Sequence, residues 1–183
     1  MLKLAWLVPL LVIAGCVPSQ SQWQREQEYQ KASRAAASSA DDKTRAKYTT
    51  MANQLEAAAN STKVSGNSLT TNKAVDNYSK DIDVLLDRIA TVENDPALQS
   101  PRSWLWPYVE PSLKYAREAA ASAFITKGTA QLAMKDFDGA RNTLRKVVVV
   151  FNPNAYGVYT RQAEFLLQDV EKAEVASRNQ MSK

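Results

Sequence analysis

The chain has 183 residues, with 23 Lys and Arg against 19 Asp and Glu, no histidine and one cysteine. Without His there is no imidazole base and no His metal ligand, and a single Cys rules out an intramolecular disulfide and a CxxC site. Five glycines are few for a phosphate-cradling loop or a turn-dense β fold, while 45% hydrophobic and 23% charged residues mark a globular chain of one domain, or two small ones.

Met1 to Lys3 is a short basic start, and Leu4 to Ala14 is an apolar run too short to span a bilayer as a helix, which takes about 20 residues. Its length is that of a signal-peptide core. It ends in Ile13-Ala14-Gly15-Cys16, with small residues directly before the only cysteine. This segment resembles the lipobox of bacterial lipoproteins, Ile13 replacing the usual Leu. The resemblance implies cleavage after Gly15, a diacylglycerol thioether on Cys16 and an acylated new amine. Residues 1–15 are then a signal peptide, and several acyl chains would form a stable anchor where one chain binds only marginally. Val17 follows, not the Asp that resembles an inner-membrane retention signal, so the expected location is the outer membrane, facing the periplasm. Loss of Lys3 leaves a net charge of +3. With no run of like charges there is no case for nucleic acid as a partner.

Residues 16–38 read as a lipidated tether and a polar helical segment, rich in Gln, Glu and Ala, with little to bury. The α-helical domain is expected over 39–183. Ser39 to Asp42 fits a capping-box pattern with Asp for Glu, opening a helix whose apolar face is Tyr48, Met51, Ala52, Leu55 and Ala59. Asn60 to Asn67 is dense in turn formers and is expected to be a loop. Val75, Tyr78, Ile82, Leu85, Ile89 and Val92 then step by three and four, a single inward stripe with Asp and Lys on the other faces. Asn94-Asp95-Pro96 ends that helix.

Three prolines, Pro101, Pro107 and Pro111, frame Trp104, Trp106 and Tyr108. These aromatics are candidates for partner docking, since Trp and Tyr anchor interfaces, or for the lipid headgroup region. The competing reading is that the two Trp rings fold back and plug the helical core. Pro111 is expected to open a long Ala-rich helix, with Leu113, Ala116, Ala120, Ala123, Phe124 and Ala130 as a small-residue face suited to close packing.

Phe124, Gly128, Phe137, Asp138, Gly139, Ala140, Leu144, Val147, Asn152 and Pro153 form a spaced set. It resembles one tetratricopeptide repeat over about residues 120–153, with a capping helix over about 153–178. The resemblance implies a helix hairpin with Ala140 facing Gly128 and Asp136 to Asp138 making the turn. Lys127 and Gln131 depart from the family, which has an apolar and an aromatic residue there, and only one repeat is found. Val147 to Phe151 could be a strand by composition, but no second strand exists to pair with it, so helix is expected.

The expected fold class is therefore all-α: helical hairpins with one tetratricopeptide-like repeat and a C-terminal capping helix. No nucleophile–base pair stands out, so no catalytic or metal site and no cofactor is expected beyond the lipid on Cys16. The expected role is a membrane-anchored adaptor or assembly factor that binds a protein partner in the cell envelope. Trp104, Trp106, Tyr108, Phe124, Gln131 and Tyr159 are the candidate contacts. A self-associating structural lipoprotein and, further off, a glycan-active enzyme with a paired carboxylate are the alternatives; composition leaves the oligomeric state open.

Overall fold

A computed structural model describes residues 20–101 and 103–181. The lipobox and Cys16 lie outside the described residues. Those described are helical with no strand, and the fold is all-α. The elements are α1 (Gln20–Ser65), α2 (Asn72–Glu93), α3 (Trp106–Ala133), α4 (Phe137–Val150) and α5 (Pro153–Met181), with one-turn 3-10 helices at Gly66–Ser68 and Pro96–Leu98.

The chain divides into two compact units, Met1–Lys43 and Thr44–Lys183. In the first, every described residue is helical, and Gln27, Glu28, Tyr29 and residues 38–43 are exposed. The expected helix start at Ser39 is absent, because α1 runs through it; good helix formers outweigh a capping pattern that no chain reversal calls upon.

The second unit holds the core. Tyr48, Ala52, Leu55 and Ala59 of α1 are buried as their spacing predicts, with Met51 partly so. The expected loop at Asn60 to Asn67 is helix as far as Ser65. Thr62 continues the inward stripe, buried, with its hydroxyl donating to the Ala58 carbonyl at 2.9 Å, and the Ser65 hydroxyl bonds Ser61 in the same way. These i−4 bonds satisfy turn-prone side chains within a helix.

All six stripe residues of α2 are buried, each contributing about 1.5–3 kcal/mol relative to exposure. Thr71 caps the start by accepting from the Ala74 N–H, and Asn94 closes the end. Asp95 ties this end to α1. It caps the Ala97 N–H and accepts from the Tyr48 hydroxyl and Lys47 ammonium, both at 3.1 Å.

Helix α3 begins at Trp106, so Pro111 lies inside it, not at its first turn as expected. Leu105 and Val109 are buried, and their burial offsets the one backbone bond that Pro111 cannot make. Farther along, α3 packs against α2, α4 and α5. Its Ala-rich surface is buried around most of its circumference, including Ala116, Ala119, Ala120, Ala121 and Ala123.

Helices α3 and α4 form a hairpin turned by Met134, Lys135 and Asp136. The Asp136 N–H bonds the Gln131 carbonyl and the Lys135 N–H bonds that of Leu132. Lys135 sits at φ 62°, the left-handed position of a Schellman cap. Phe137 and Asp138 already belong to α4, and the Asp136 carboxylate caps it through the Gly139 N–H. Gly128 is met by Leu144: a Cβ there would lie 2.7 Å from Leu144 Cγ. Val147 to Val150 are helical and Phe151 is the cap. In α5 Ala163 and Val170 are buried, while Glu174 holds both Arg141 of α4 and Arg178.

Candidate functional site

The aromatic segment before α3 divides by side. Leu105, which the pattern of Trp and Pro conceals, is buried in the core. Trp106 is half-buried against the core, and its indole N–H donates to the Ser100 carbonyl at 3.1 Å. Trp104 and Tyr108, one helical turn apart, face outward at 48% and 37% exposure and pack edge to face at 6.1 Å. The Arg45 guanidinium lies 5.9 Å from the centre of the Trp104 ring.

Phe124 and Gln131 are buried, so neither offers a surface to a partner. Phe124 stacks edge-on with Phe151, which does the same with Tyr156. The Gln131 amide donates to Asp136 at 3.1 Å and accepts from the Thr143 hydroxyl at 2.7 Å. Gln131 thus replaces the expected aromatic with a closed polar network that locks the α3–α4 turn. Lys127, the other departure, is half-buried; burial first, and Lys146 second, hold its ammonium below the ordinary lysine value. Tyr159 is half-buried against the core. The six candidate residues are thus not one surface: Trp104 and Tyr108 make an exposed pair, and the others serve the packing wholly or in part.

A concavity the sequence did not mark lies beside them. One cavity of about 550 Å³ is bounded by Leu98, Pro101, Trp106, Leu113 and Tyr156. A second, of about 500 Å³, is bounded by Leu86, Ile89, Phe151 and Tyr156. Arg117 and Tyr156 line both, which joins the two into one groove across α3, between the end of α2 and the α4–α5 corner. The side chain of Tyr156 reaches it from a break at the start of α5, where its φ of −124° and ψ of 27° leave the helical region.

Its walls are largely apolar, and its charged lining among the described residues is Glu93, Glu110, Lys114 and Arg117. Arg117 Nε donates to Glu93 Oε1 at 2.8 Å, and Nη2 lies 2.6 Å from the same oxygen in an ion pair. Burial pulls the Arg117 guanidinium down, but Glu93 and the Tyr156 hydroxyl outweigh it and hold it above the ordinary arginine value. The pair is partly open, with side chains 40% and 37% exposed. Nothing in the spacing of Glu93, Arg117 and Tyr156 links them; only α2, α3 and the α4–α5 corner meeting in space does so.

Among the described residues no group of three His, Cys, Asp or Glu could hold a metal, and no helix is long and apolar enough to cross a membrane. A short serine–carboxylate contact, the Ser112 hydroxyl donating to Glu56 at 2.6 Å, ties α3 to α1.

No protein-family model matches the chain, and no curated protein or solved structure is similar to it.

Proposed function

We propose that this protein is a bacterial lipoprotein, held to the outer membrane by acyl chains on Cys16 and facing the periplasm, that serves as a protein-binding adaptor or assembly factor of a cell-envelope complex. The anchor rests on Ile13-Ala14-Gly15-Cys16. The binding role rests on one observation, the apolar groove across α3 with the half-open Arg117–Glu93 pair in it. Concave, largely apolar sites with a few converging polar groups are where recognition concentrates.

The test has two arms in cells. A labelled fatty acid should be incorporated into the wild-type chain and not into Cys16→Ser. A photo-crosslinking residue at Gln99 or Asn152, exposed on the groove rim, should give a discrete envelope adduct that the same residue at Lys80, on the outer face of α2, does not. Adducts of equal yield from all three sites, or none, refute the groove as the binding surface. An adduct of twice the chain mass would transfer the reading to a self-associating structural lipoprotein.

A further inference from the structure

We infer that this protein pairs with a second copy of itself through the outer face of α5, the two helices running antiparallel about a two-fold axis. The inference stands independently of the anchor and of the groove.

Arg161, Phe165, Gln168, Lys172, Val175 and Asn179 step by four and three along α5, and all six are exposed. That spacing is the seam along which one helix meets another. It lies across α5 from Ala163 and Val170, which are buried in the core. Phe165 stands out of the seam, 62% exposed. Two turns farther on, a hollow is bounded by Lys172, Val175, Ala176 and Asn179, with Glu171 at its edge. The first four are mutual neighbours three and four residues apart, so they frame the kind of hole into which a facing helix inserts a knob.

Knob and hole therefore occur on the same seam, and this selects a second copy as the occupant. The antiparallel alignment that seats Phe165 in the hole of the second copy also seats the second Phe165 in the first hole, because a two-fold axis makes every contact reciprocal. In that register Arg161 meets Asn179 of the second copy and Lys172 meets Gln168, so no like charges on the seam come together. Lys172 keeps its own Asp169 at 3.4 Å, beside that contact. A parallel pair in register would instead set Arg161 against Arg161, Lys172 against Lys172 and hole against hole, with like charges opposed. One pair of helices covers less than the roughly 1,600 Å² of a standard interface, so the association is weak and depends on concentration.

The test is copper-phenanthroline oxidation of the detergent-solubilised full chain over a concentration series, in a Cys16→Ser background so that the introduced thiols are the only ones. Positions 161 and 179 are about 27 Å apart along one helix, too far for a disulfide within a chain. The expected result is a disulfide-linked dimer from Arg161→Cys with Asn179→Cys in one chain, and none from either single variant. Adding Phe165→Ser should raise the concentration needed for half-maximal linkage by about thirtyfold, the mark of an interface hot spot. Val84→Ser, at a comparably exposed apolar residue of α2, should leave it unchanged. Equal linkage by the single variants, no dimer from the double variant, or a dimer indifferent to Phe165→Ser would each overturn the inference. The comparison of single and double variants decides the alignment without any change at Phe165. None of these results bears on the groove adducts from Gln99 and Asn152, which lie off this seam, so the adaptor reading stands or falls separately.

Discussion

Replacing Gly128 with Ala sets two well-known effects against each other. Ala is favoured over Gly inside a helix by about 0.8–1 kcal/mol, so propensity alone makes the variant more stable. The structure opposes this, because the new methyl would lie 2.7 and 2.8 Å from Cγ and Cδ2 of Leu144, a side chain that is fully buried. Adding a methyl to a closed contact costs about 1–3 kcal/mol. The expected net effect is a loss of roughly 1 kcal/mol, or about 2–4 °C in Tm for a domain of this size. Leu144→Ala alone should cost about 2–5 kcal/mol through the cavity it leaves. In the double variant the methyl at 128 partly refills that space, so the two changes should be less harmful together than their sum, by about 1–2 kcal/mol. Urea unfolding of all four chains, followed by circular dichroism at 222 nm, measures every side of the cycle. A stabilised Gly128→Ala, or strictly additive effects, would refute the close approach of α3 and α4 at this point.

The α3–α4 turn carries the cost of a lysine in the left-handed region at φ 62°, about 1–2 kcal/mol, partly offset in a glycine variant by its freer unfolded chain. Lys135→Gly should therefore raise stability by roughly 0.5–1 kcal/mol and Lys135→Val should lower it, both read by thermal melts. Burial pushes the Asp95 carboxyl up, but the Ala97 N–H, Lys47 and Tyr48 outweigh it and hold it below its ordinary value of 3.8. Its contribution is thus complete above the unfolded value and is lost as pH falls through the lower folded one. Urea midpoints between pH 2 and pH 5 should accordingly fall less steeply for Asp95→Asn than for the wild type; parallel curves would contradict the clamp between α1 and the end of α2.

Elements whose determinants are local were legible in the residues. The stripe from Val75 to Val92 has one stable way to meet a core, and all six side chains are buried as spaced. Asn94-Asp95-Pro96 ends a helix by chemistry contained in those three residues, and the absence of any strand partner made Val147 to Val150 helical. Local chemistry misled where a neighbour from elsewhere decided. Turn-prone Asn60 to Ser65 stayed helical because Thr62 had a core to enter, and Pro111 was carried inside α3 by the burial of Leu105 and Val109.

By itself, then, the sequence determined the all-α class, most of the helix faces and the residue types from which any chemistry must be drawn, because propensity and periodicity act within a few turns of chain. The tertiary structure alone decided that Leu105 is buried and Trp106 packs on the core while Trp104 faces outward, that Gln131 closes a turn, and that Glu93, Arg117 and Tyr156 share a groove. Residues so far apart along the chain become neighbours only when helices pack, and packing is set by the volume and burial of whole faces rather than by any motif.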